Sequence, residues 1–164
     1  YGGIMVDTNN FTAKTGVRTF EAAAFLRRCG ADVTRVRKMF RDGAAEYKAK
    51  AETVRNAEIY KNAYAMGICP TEGLESPTEI GAQAANELLG INGIKASFVA
   101  TEYNGKIYIS ARSIDEVNVQ IIMERLGGGG HMNIAGAQLQ DMSSERAVAV
   151  IKDTVNQMLE EGAI

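Results

Sequence analysis

Two runs of alternating apolar and polar residues meet at Asn104-Gly105 in "IKASFVATEYNGKIYISARS". Such alternation on both sides of an Asn-Gly pair predicts a β-hairpin, because the pair accepts the left-handed backbone of a tight turn. On the second strand Ile107, Ile109 and Ala111 share one face, and Tyr108, Ser110 and Arg112 share the other. Upstream, "AYAMGIC" reads as a strand ending at Pro70. "SPTE" then offers Ser76 as N-cap, Pro77 at the first helical position and Glu79 at the third, predicting a helix to about Leu89 that Gly90 stops. Downstream, a helix is predicted from about Val117 to Leu126, followed by a run of glycines and a strand in "GAQLQ". The apolar stripe Val148, Ile151, Val155 and Leu159 marks an amphipathic closing helix over 144–161.

The first third has a different texture. Ile4 to Val6 is predicted as a short strand that ends at Asp7 and enters the polar turn Thr8 to Asn10. "TFEAAAFLRRCG" carries Phe20, Ala23, Ala24 and Leu26 at helical spacing, with Gly30 as the stop. Asp32 caps a second predicted helix, which carries Val33, Val36 and Phe40 on one face and ends at Asp42-Gly43. "AAEYKAKAETVRNAEIYKNA" is rich in strong helix formers, and Glu46 precedes Lys50 by one turn in the supportive order. Its single narrow stripe, Tyr47, Ala51, Val54 and Ala57, predicts a connecting helix over 44–62. The expected organisation is therefore a helical segment over 1–43, that connector, and an α/β domain over 63–164 whose mixed sheet is flanked by helices.

Chemistry concentrates at "RLGGGGHMNI", where Gly127, Gly128, Gly129 and Gly130 precede His131, the only histidine of the chain. Glycine loses more backbone freedom on folding than any other residue, so four in a row call for a reason. One reading is a flexible surface linker or a helix end with spare glycines. The other is an anion cradle, in which successive N–H groups with no side chains in the way wrap a phosphate. No GK[ST] follows and no GxGxxG opens a strand–helix unit, so neither nucleotide-loop pattern applies. Arg112, on a face shared with Ser110 and Tyr108, has the planar fork that suits a phosphate. An isolated strand arginine more often pairs with a carboxylate. A lone histidine without a cysteine cluster does not make a zinc site, and Asp7 reads as readily as an Asx-turn former as it does as a functional carboxylate.

Composition narrows the partners. The chain has 164 residues, 46% hydrophobic and 23% charged, as ordinary globular proteins do. A net charge of −2 argues against the broad basic face that duplex nucleic acid requires, and leaves room for a local phosphate pocket. Cys29 and Cys69 form no CxxC pattern and are expected as two buried thiols. No apolar run reaches membrane-spanning length. The chain opens at Tyr1 in the middle of the strand predicted there, which predicts a piece of a larger protein.

"SARS", "NVQIIMERLGGGGH" and "AGAQL" together resemble the substrate-binding domain that accompanies the DHH phosphoesterase domain. That superfamily includes nanoRNases, RecJ-type nucleases and cyclic-di-AMP phosphodiesterases. "VDTNNFTAKTGVRTFEAAAFLRRCGAD" is similar to the end of the DHH domain in the membrane-anchored cyclic-di-AMP phosphodiesterases, which carry transmembrane helices, a PAS-like sensor and a degenerate GGDEF domain. The resemblance implies that 1–43 is the end of the DHH domain and 63–164 the DHH-associated domain. It makes Gly127 to Gly130 and His131 a phosphate grip, and Ser110, Arg112, Ser113 and Asn118 further substrate contacts. Asp7 matches the last metal-ligand aspartate, one of a set that holds two manganese ions. Ile134 departs mildly from the commoner alanine. The DHH triplet and the earlier metal ligands are not in this sequence, so hydrolysis by this chain alone is not expected.

The leading expectation is the substrate-binding part of a phosphodiesterase that opens cyclic-di-AMP to linear pApA, in a cytoplasmic domain of a membrane-anchored parent. An oligoribonuclease acting on very short RNA and a non-catalytic nucleotide-binding module are the alternatives. A structural or dimerisation domain with a floppy loop is the plainest of them, and apolar surface on 1–43 could drive homodimerisation.

Overall fold

The computed structural model describes residues 1–114 and 116–164. They form two units, Tyr1–Gly43 and Ala44–Ile164. The first holds three helices, α1 (Gly2–Asp7), α2 (Val17–Arg28) and α3 (Val33–Met39). The strand expected at Ile4 to Val6 is helical instead: the Thr8 N–H and hydroxyl both donate to the Ile4 carbonyl, at 3.0 and 2.6 Å. Three apolar residues are too few for periodicity to tell a helix from a strand. Asp32 caps α3 as expected, its carboxylate accepting the Arg35 N–H at 3.1 Å. Gly30 leaves α2 with φ of 97°, the left-handed step that ends many helices. Neither α2 nor α3 buries a residue, and Val17, Phe20, Phe25, Met39 and Phe40 are all exposed. Cys29 is exposed for the same reason, so only Cys69 is the buried thiol expected of both.

The second unit opens with α4 (Ala44–Arg55) and continues through β1 (Glu58–Tyr60), β2 (Tyr64–Cys69), α5 (Pro77–Leu88), β3 (Ala96–Tyr103) and β4 (Lys106–Ser113). It closes with α6 (Val119–Arg125), β5 (Gly129–His131), β6 (Ile134–Leu139) and α7 (Ser144–Glu160). The connecting helix expected over 44–62 thus ends at Arg55, and 58–60 is strand. Of the predicted stripe, Val54 and Ala57 pack half-buried on the core, but the fully buried positions of α4 are others. Ala49 and Thr53 face inward while Tyr47 is exposed, because the helix lies close over Gly67, where a Cβ would come within 3.0 Å of Thr53. Close approach selects small residues, which a search for hydrophobic spacing overlooks.

The six strands run in the order β1-β2-β3-β4-β6-β5. β2 and β3 are parallel, joined by the α5 crossover, and every other pairing is antiparallel. The β3–β4 hairpin turns at Asn104 (φ 50°) and Gly105 (φ 72°), both left-handed as a two-residue primed turn requires. α6 and α7 cover one face, packing Ile122, Met123, Ile151, Val155 and Met158 on Phe98, Ile107, Ile109 and Ala111. α5 covers the other face from β2 to β4, packing Ile80, Ala84, Ala85 and Leu88 on the β2 and β3 side and reaching β4 through Asn86. Beyond β4 that face is open.

Candidate functional site

Alternation along β4 puts Tyr108, Ser110 and Arg112, all half-buried, on the partly open face. Register extends them into rows, since directly opposed residues of antiparallel strands share a face. Ser110 stands opposite Gly136, which stands opposite Gly129; Arg112 stands opposite Ile134, which stands opposite His131. Two strand spacings of about 4.8 Å separate Arg112 and His131, so both reach one ligand of dinucleotide size. Beside these rows lies a cleft of about 410 Å³, lined by Thr78 from α5, Tyr108 and Ser110 from β4, Gly127 and Gly128, and Gln138 from β6.

The glycines answer two separate demands. Gly127 (φ 77°) closes the end of α6: its N–H donates to Glu124 at 3.0 Å, and that of Gly128 to Met123 at 2.8 Å. Gly128 and Gly130 press against β6, where a Cβ would lie 2.1 Å from the Gly136 carbonyl oxygen and 2.5 Å from Ala135 Cα respectively. Gly129 meets neither demand and has open space around it. The run is therefore a helix stop followed by an edge strand, and two of its N–H groups are committed to α6. Any anion contact falls to the outward N–H groups of β5, which as an edge strand leaves one side of its main chain unpaired.

Arg112 has an unusual environment. Its Nε donates to Asn86 Oδ1 at 3.0 Å and one Nη to the Ala111 carbonyl at 2.9 Å. Burial disfavours its charged form and lowers its pKa. Among the described residues no carboxylate pairs with it. A half-buried guanidinium with neutral partners and free N–H groups is a receptor for an anion.

Other expected residues lie elsewhere. Ser113 has the parity of Ala111 and faces away from Arg112; its hydroxyl donates to the Met132 carbonyl at 3.3 Å and accepts from Asn133. Asn118 caps α6, its side-chain oxygen accepting the Gln120 N–H at 3.0 Å. Ser113 thus fastens the β5–β6 turn, as does the Val119 N–H, which donates to the Met132 carbonyl at 2.9 Å. His131 is exposed. Asp7 ends α1 in the other unit, exposed, and among the described residues no three His, Cys, Asp or Glu gather into a metal-sized group. One carboxylate does not fit a pair of metal ions. The sequence did not point to Asn86, Thr78 or Gln138, which reach the site through the tertiary fold.

An α/β domain with one half-open sheet face, an arginine on it that has no carboxylate partner among the described residues, and a glycine-built edge strand has the chemistry to receive an anion. The chain belongs to the DHHA1 domain family, which it matches over residues 65–161. It is 42% identical over 164 residues to the cyclic-di-AMP phosphodiesterase GdpP of Geobacillus thermodenitrificans, covering 98% of this chain and 24% of that protein. It is 44% identical over 146 residues to the cyclic-di-AMP phosphodiesterase PdeA of Listeria monocytogenes, covering 88% of this chain and 22% of that protein. The chain thus spans about a quarter of the length of these relatives. An exopolyphosphatase-related protein from Bacteroides fragilis has the same fold, with a TM-score of 0.83 at 22% identity over 94% of this chain and 48% of that one. Among the described residues no helix is long and apolar enough to cross a membrane.

Proposed function

We propose that this chain is the substrate-binding part of a phosphodiesterase that opens cyclic-di-AMP to pApA, with Arg112 and His131 gripping substrate phosphate. The observation that carries the reading is Arg112 itself, half-buried, with no carboxylate partner among the described residues, and in one row with His131. Ser110 and the outward main chain of β5 complete the phosphate side, and the cleft beside them accommodates a nucleoside. Ser113 acts indirectly, by fixing the turn that presents His131, and Asn118 by capping α6, the helix that leads into the glycines. The names of the relatives at 42% and 44% identity support the substrate.

In the family chemistry two divalent ions activate the attacking water. Asp7 alone does not supply that site, so this chain's part is to hold and orient the phosphodiester. Membrane anchoring and manganese belong, on this reading, to the whole parent protein.

Titration calorimetry of the chain with cyclic-di-AMP, pApA and AMP tests the assignment. Charge-assisted hydrogen bonds to phosphate contribute about 1.5–3 kcal/mol, so Arg112→Ala should raise Kd by about 10- to 150-fold. His131→Ala should weaken binding less. No binding of any of the three would leave a structural or dimerisation domain, and a preference for longer linear RNA would favour an oligoribonuclease.

A further inference from the structure

Asn86 sits exposed on the last turn of α5, and its side chain is the acceptor that orients the Arg112 guanidinium. Two features of the contact bear on function. The bond runs to Nε at 3.0 Å, and the second bond ties one Nη to the Ala111 carbonyl at 2.9 Å, so the plane of the guanidinium is set from two directions. Both acceptors are neutral, so among the described residues the positive charge is left whole. A carboxylate at the same position would hold the arginine more tightly, and it would also neutralise it and repel an incoming phosphate. The end of α5 supplies partial negative charge from its carbonyls, which favours the cation without forming an ion pair.

We infer that Asn86 is a positioning residue that aims Arg112 at substrate phosphate while preserving its charge, and that an amide in place of a carboxylate at this position sets affinity for phosphoanions. The inference rests on the phosphate-binding role proposed for Arg112. Asn86→Asp keeps the shape and the hydrogen bond and changes only the charge, which separates this role from a structural one.

The test is calorimetric titration of the whole 164-residue chain with pApA, and with adenosine as an uncharged control, at several salt concentrations. Asn86→Asp should weaken pApA binding by about thirtyfold and flatten its salt dependence, with adenosine binding and thermal midpoint unchanged. Asn86→Ala, which loses orientation but adds no charge, should weaken pApA by only about threefold. Asn86→Asp binding pApA as the unmodified chain does, or Asn86→Ala weakening it more than Asn86→Asp, overturns the inference. If Arg112→Ala leaves pApA binding unchanged, or the unmodified chain does not bind it, the phosphate role of Arg112 fails and this inference falls with it. If Arg112→Ala weakens binding while Asn86→Asp does not, only the role of Asn86 fails.

Discussion

Alanine placed singly at the four glycines should divide them by stability in an order that composition alone does not suggest. At Gly129 the new methyl meets no atom within 4 Å, so the change should stay within about 0.5 kcal/mol of neutral. At Gly127 the space is also open, but φ of 77° is left-handed, and an L residue there costs about 1–2 kcal/mol. At Gly128 the methyl would overlap the Gly136 carbonyl oxygen at 2.1 Å and Ala137 Cα at 2.7 Å. These are main-chain atoms of β6 and cannot rotate away, while the Gly128 N–H is tied to Met123 at 2.8 Å. Overpacking of this kind reaches the upper end of its range, about 3 kcal/mol. Gly130 combines contacts at 2.5 Å with φ of 147° and should lose at least as much, about 3 kcal/mol or more. Urea unfolding followed by circular dichroism reads these differences as shifts in midpoint at constant slope. Gly129→Ala should separate the two roles of the segment, weakening pApA binding from the row it shares with Ser110 while leaving the midpoint in place. If Gly129→Ala is as destabilising as Gly128→Ala, or if Gly128→Ala is neutral, the account of β5 is wrong.

Three further outcomes are expected. Asn118→Ala should cost about 0.5–2 kcal/mol in urea unfolding, and Asn118→Asp should restore most of it, because the residue acts as a helix cap. Burial raises the Cys69 thiol pKa above its ordinary value, so the folded state favours the protonated form. That stabilisation is complete below the unfolded pKa, about 8.5, and is lost as pH climbs through the folded value. Thermal midpoints should therefore fall on the alkaline side, less so in Cys69→Ala; a thiol reagent should label Cys29 at once and Cys69 only on unfolding. A chain of residues 44–164 should fold with an unchanged midpoint and bind pApA like the longer one, since both hydrophobic clusters lie within it. Loss of cooperative unfolding there would show that the first unit completes the fold.

The α/β architecture was legible where local signals agreed. Asn104-Gly105 follows β3, which is buried on both faces, and precedes the clean alternation of β4, which places Ser110 and Arg112 together. It also puts Ser113 on the opposite face, a consequence of period two that the motif "SxRS" conceals. β5 gives no such signal, because three residues of Gly-Gly-His carry no periodicity and owe their strand geometry to pairing with β6. Asn86 is 26 positions from Arg112, and only the α5 crossover brings them together. The stripe over α4 was legible only in part, in Val54 and Ala57, because Ala49 and Thr53 are chosen by the closeness of Gly67 and not by hydrophobicity.

The turn between β5 and β6 is fastened largely through its main chain. Met132 offers its carbonyl to both Val119 and Ser113, and the Asn133 carbonyl accepts the Ser113 N–H at 3.1 Å. A carbonyl is common to all twenty amino acids, so its grip survives whatever side chain mutation installs. Met132 and Ile134, both exposed beside His131, are therefore open to evolutionary drift that leaves the fastening intact. Rewriting these two positions changes the surface beside His131, with the scaffold that presents the histidine inherited unchanged.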